Sequence, residues 1–147
     1  MSANNAPSPT ASYNIKVGGN WTNNVGGVGF IPGTGTVVFH SLTGSAQDAE
    51  GINTFYNVLQ DNTGQYLRFN LTNGNKTIQN NLELHNYSWA YRLFNVNGIL
   101  NIDDVNSRFT SNGPNGVATI SSLNQGGRLI SNCGVSLTVN DLVENGL

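Results

Sequence analysis

The chain has 147 residues, only 10% of them charged, and a formal net charge of −2. That length supports one domain with a core of its own and makes a second core improbable. Its two lysines, Lys16 and Lys76, form no basic patch for phosphate, which argues against nucleic acid, and no apolar run approaches the roughly 18 residues of a membrane helix.

Asparagine fills about one position in six and glycine 18 positions, while the 37% of hydrophobic residues alternate with polar ones. This describes an ordered chain with uncharged polar surfaces rather than a disordered one. Residues 1–12, "MSANNAPSPTAS", are polar, carry two prolines and read as a flexible lead-in. They have neither the basic start nor the apolar centre of a signal peptide. Residues 13–147 read as a single domain.

Strand-like pieces then recur: "YNIKV", "TVVFHSL", "TFYNVLQ", "YLRFNLT", "KTIQNNLELHN", "RLFNVNG", "ILNIDDV", "ATISSL", "RLISN" and "VSLTVNDLV". Most have the period-2 alternation of a half-buried strand, punctuated by Gly, Asn, Asp, Ser and Pro. "SAQDAEGINTFYNVL" is the one stretch where a short helical turn fits, although Gly51 and its β-rich end oppose a long helix. The single cysteine, Cys133, has no internal disulfide partner and reads as a small buried filler.

"RLFNVNGILNIDD" (Arg92 to Asp104) separates two architectures. In a two-residue Asn97-Gly98 hairpin, Val96 faces Ile99 and Phe94 faces Asn101, while Asn95 faces Leu100 and Leu93 faces Ile102. Both faces then mix apolar and amide side chains, and neither makes a clean core. With Asn97-Gly98 as a corner that resets the phase, Phe94, Val96, Leu100 and Ile102 all point inward. "YLRFNLTNGNKTIQNNLEL" and "VSLTVNDLVENGL" repeat the logic of short strand, Asn/Gly corner, short strand. The expected fold is all-β, a parallel β-helix or β-solenoid of about six coils of some 20 residues, roughly 30 Å long; the alternative is an antiparallel β-sandwich. Asparagine suits such corners, because it tolerates left-handed backbone and its amides hydrogen-bond from coil to coil.

The segment from Gly18 to Gly64 resembles repeats of large bacterial cell-surface, adhesin-like proteins. The resemblance rests on Trp21 and Asn23, on "PGTGTV" (Pro32 to Val37) with Phe39, on Ala46 and Gln47, and on Thr54 to Asn57. With the Asn-rich strands of residues 66–102 it covers about two thirds of the chain. It implies a right-handed parallel β-helical stalk of a secreted, cell-surface protein. The chain departs from that pattern at "QDAEG" and at the aromatic "HNYSWAYRLF", which reads as a possible partner-contact loop.

Chemistry is sparse. "GGVGFI" places Ile31 where a calcium-binding turn needs Asp, and Pro32 stands where a dinucleotide fingerprint needs its third glycine. Asp103 and Asp104, with Asn106, read as a solvated turn or a weak calcium loop. Asp48 and Glu50 share a strand face and read as a charged loop before an acid–base pair. His40 and His85 are lone histidines in strand patterns, and two distant histidines without a cysteine or acid cluster do not supply the three or four converging groups that a metal site needs. The four sequons at Asn20, Asn70, Asn75 and Asn86 follow from composition. The best recognition candidates are Tyr87, Trp89 and Tyr91, which share one face when extended and either pack between coils or stack on a protein or glycan. The resulting expectation is a non-enzymatic extracellular protein of the bacterial cell surface with no cofactor and no metal. Its partners are itself, in head-to-tail or lateral assembly, the rest of a larger surface protein, or a glycan, with neither nucleic acid nor membrane insertion.

Overall fold

A computed structural model describes residues 14–25, 29–41, 43, 45–62, 66–69, 75–102, 107–125, 128–131 and 136–142. Among the described residues thirteen strands follow one another: β1 (Ile15–Val17), β2 (Trp21–Asn23), β3 (Thr36–Phe39), β4 (Gln47–Gly51), β5 (Asn53–Phe55), β6 (Asn57–Gln60), β7 (Leu67–Phe69), β8 (Lys76–Ile78), β9 (Leu82–Leu84), β10 (Tyr87–Ile102), β11 (Arg108–Gln125), β12 (Arg128–Ser131) and β13 (Ser136–Leu142). Every strand pair among the described residues is parallel, and each strand pairs with one about twenty positions away. Hairpins cannot give this pattern, so the antiparallel sandwich is excluded and the chain is a parallel β-solenoid.

The pairings sort into three faces. The first runs in register from Ile15 through Val37, Val58, Leu82, Leu100 and Leu123 to Leu142. The second carries Gln47, Leu67, Ser88, Phe109 and Leu129. The third carries Phe55, Ile78, Val96, Ile120 and Val139. Alternation turns Val37, Phe39, Val58, Leu67, Phe69, Leu82, Leu84, Phe94 and Phe109 into one buried core.

The corners explain the asparagines. Asn57 Oδ1 accepts from Asn80 Nδ2 at 2.9 Å and from the Asn81 amide at 3.2 Å, and Asn81 Oδ1 accepts from the Ile99 amide at 3.0 Å. Each bend therefore satisfies backbone groups of the next coil. Inside the turn from first to second face, amides replace apolar packing. Gln47 Nε2 donates to the Val17 and Gly19 carbonyls, Asn62 Nδ2 to Gln47 Oε1, and Gln60 Nε2 to Asn62 Oδ1 and the Tyr87 carbonyl. Buried polar groups are tolerated there because they bond one another across successive coils.

Asn97-Gly98 is a corner, as the burial pattern requires, with Phe94, Val96, Leu100 and Ile102 all buried. Two details differ from expectation. The strand does not break: β10 runs through the bend with a register shift between Val96 and Ile99. Nor does the phase reset, since all four inward residues keep the same parity across the bend. A Cβ on Gly98 would lie 2.5 Å from the Asn80 carbonyl oxygen, so the close approach of the coil below demands glycine. "SAQDAEGINTFYNVL" forms no helical turn; it is spanned by β4, β5 and the start of β6. Stacked strands on either side supply backbone partners that an isolated helical turn would lack.

Candidate functional site

The aromatic stretch at the start of β10 lies on the second face, held between β7 and β11. It is strand rather than loop. Ser88 and Ala90 are buried, so the residues between them turn outward, and Tyr87 and Trp89 are half-buried on the outer surface. The backbone of Tyr91 continues the strand opposite Asn112, and its side chain lies outside the described set.

Register adds residues that are distant in sequence. The Tyr66 ring stacks on Trp89 with centroids 4.4 Å apart and planes 18° from parallel, and on Tyr87 at 5.9 Å and 22°. Arg108 pairs with Tyr87 across the coils and holds its guanidinium carbon 4.6 Å from the Tyr87 ring centroid. Its Nε is buried without a hydrogen-bond partner among the described residues, and that end of the side chain lies against the ring face. One strand position beside Trp89, Arg68 grips Asp48 through two bonds of 2.6 and 2.8 Å. Asp48 is thereby committed to an ion pair, which disfavours it as an acid–base partner of Glu50.

The result is an amphipathic platform of stacked rings edged by a cation and an ion pair. Such a surface packs against a partner's aromatic or aliphatic groups and stacks on sugar rings. Tyr66 and Arg108 escape an inspection of "HNYSWAYRLF", but a signal for them exists: Tyr66, Tyr87 and Arg108 stand one coil apart in sequence.

The other candidates separate. His40 and His85 come to one corner, on either side of Asp61. His40 Nδ1 lies 3.0 Å from Asp61 Oδ2, His85 Nδ1 lies 4.0 Å from Asp61 Oδ1, and His85 Nε2 is 2.9 Å from Glu83 Oε1. Sequence distance hid this column, because each of the three residues directly follows a first-face strand. Even so, no group of three or more His, Cys, Asp or Glu side chains among the described residues is arranged to hold a metal ion. Asp103, Asp104, Asn106 and Cys133 lie outside the described residues. No helix in the described residues is long and apolar enough to cross a membrane. Compared with known families, curated proteins and solved structures, the chain matches none of them.

Proposed function

We propose that this chain is a non-enzymatic, extracellular structural or adhesive solenoid of the bacterial cell surface, a stalk segment or a subunit that assembles through its strand edges. The observation that carries the reading is the uninterrupted first-face ladder from Ile15 to Leu142. A parallel stack with a hydrogen-bonded strand at every level is stiff along its axis, and its cross-section repeats from coil to coil. At one end β1 and β2 each pair along a single edge among the described strands, and at the other β12 and β13 do the same. Single-edged strands template the addition of another chain, whether a second copy or the adjoining part of a larger surface protein. Light scattering across a concentration series, with negative-stain images of the same sample, tests this. Rods longer than one molecule support assembly through the edges. A monomer that persists at high concentration removes self-assembly and leaves the stalk segment.

A second reading is favoured by the outward aromatic platform. In it, Tyr87 and Trp89, with Tyr66, bind a glycan or a surface receptor. Trp89→Ala separates the two: loss of glycan binding in a chain that still folds supports recognition, and unchanged binding rejects it.

A further inference from the structure

The third face contains two buried groups that the stalk reading leaves unused. Lys76 is wholly inaccessible to solvent and Asn53 is 1% exposed. They are direct partners in the β5–β8 ladder, with Phe55 and Ile78 paired two positions further on. Both side chains point into the core, one strand spacing apart. Lys76 Nζ donates to the Gly51 carbonyl, and Asn53 Nδ2 lies 3.3 Å from the same oxygen. The amine and the carboxamide therefore converge on one acceptor.

The carboxamide is held by its other atoms as well. Trp21 Nε1 donates to Asn53 Oδ1 at 2.9 Å, and Asn53 Nδ2 donates to the Glu50 carbonyl at 2.6 Å. A donor fixed on the carbonyl oxygen stabilises the negative charge that develops there when a nucleophile attacks the carbon. Trp21 packs edge-on against Phe30 and Phe55, so the carboxamide is bordered by aromatic rings on its Trp21 side. Placing an ammonium in such a core is unfavourable, and turning it into an amide removes the charge.

We propose that Lys76 and Asn53 become joined by an intramolecular isopeptide bond. The Nζ lone pair forms a bond to Cγ of Asn53 and the Cγ–Nδ2 bond breaks. The neutral amine is the attacking form, so an ammonium first gives up one proton to solvent; Nδ2 then leaves with its two hydrogens and one from Nζ as ammonia, which takes up a proton from solvent as ammonium. No oxidant, reductant or cofactor is consumed. The bond ties two successive coils covalently, and it stands whether or not the chain assembles through its edges.

Intact-mass spectrometry of the full chain, purified folded and then denatured, tests the inference together with a tryptic peptide map. The expected mass is that of the sequence less one ammonia. The map then shows no cleavage after Lys76 and a branched peptide joining the segments around residues 53 and 76. The Lys76→Arg variant, whose guanidinium is a poor nucleophile, recovers the full mass. A full mass in the native chain, with ordinary cleavage after Lys76, overturns the inference. So does an ammonia deficit that persists in Lys76→Arg, or one that maps to a succinimide at an Asn-Gly step such as Asn97-Gly98.

Discussion

Two groups of aromatic residues pack in different ways, one inside the coils and one on the outer surface of the second face. The inner group, Trp21, Phe30, Phe39 and Phe55, meets in edge-on and tilted pairs with centroids 4.8 to 6.2 Å apart. The outer group, Tyr66, Tyr87 and Trp89, lies in near-parallel stacks. Residues inside must fill space in three dimensions, so their rings interlock. Residues outside are carried at strand spacing along one surface, so their rings lie on each other like steps. The same chemistry is core in one place and available surface in the other.

If that contrast is right, substitutions on the two sides differ in size and in kind. Phe55→Ala should have the largest effect. The side chain is fully buried against three other rings, and its loss should destabilise the fold by about 3–5 kcal/mol in urea denaturation. A loss below that of an outer substitution would break the contrast. Gly98→Ala probes the bend where inner and outer surfaces meet. Its Cβ would press on the Asn80 carbonyl, which accepts the Gly98 amide at 3.0 Å, and about 1–3 kcal/mol should be lost. An unchanged melting temperature would show that the corner can relax. Trp89→Ala should remove the Tyr66 stack, worth about 1 kcal/mol beyond area burial, while circular dichroism retains the strand signal. Global unfolding of that variant would move the outer group into the core. Asn57→Ala should be mildest, about 0.5–1 kcal/mol, because water can accept from the Asn80 and Asn81 N–H groups in place of the lost Oδ1. A far larger loss would mean that the corner amides rather than the apolar faces hold the coils in register.

The corner at Asn97-Gly98 and its four inward residues were legible because a hairpin would have left no consistent apolar face. Strand boundaries were less legible. "TFYNVLQ" and "KTIQNNLELHN" read as single strands, yet Tyr56 and Gln79 to Asn81 are corners that divide them between two faces. Three-residue strands give the eye one alternation each, too few to reveal a bend. "RLFNVNG" and "ILNIDDV" show the opposite: two apparent strands are one, because β11 is itself continuous and pairs before and after the corner with only a register shift between. Of the candidate site, Tyr87 and Trp89 were legible as alternate positions of one strand. Tyr66 and Arg108 were not, because their contact with that strand depends on coil length.

Local alternation, the Asn/Gly punctuation and the scarcity of charge sufficed for an all-β chain wound into coils, since period-2 patterning and turn chemistry act over a few residues. Which residues meet was left to the tertiary structure. The column of His40, Asp61 and His85, the stack of Tyr66 on Trp89, and Lys76 beside Asn53 all join residues about a coil apart. Coil lengths vary as corners lengthen or shorten. Only the closed set of parallel ladders, satisfying backbone hydrogen bonds on three faces at once, selects the register that brings these groups together.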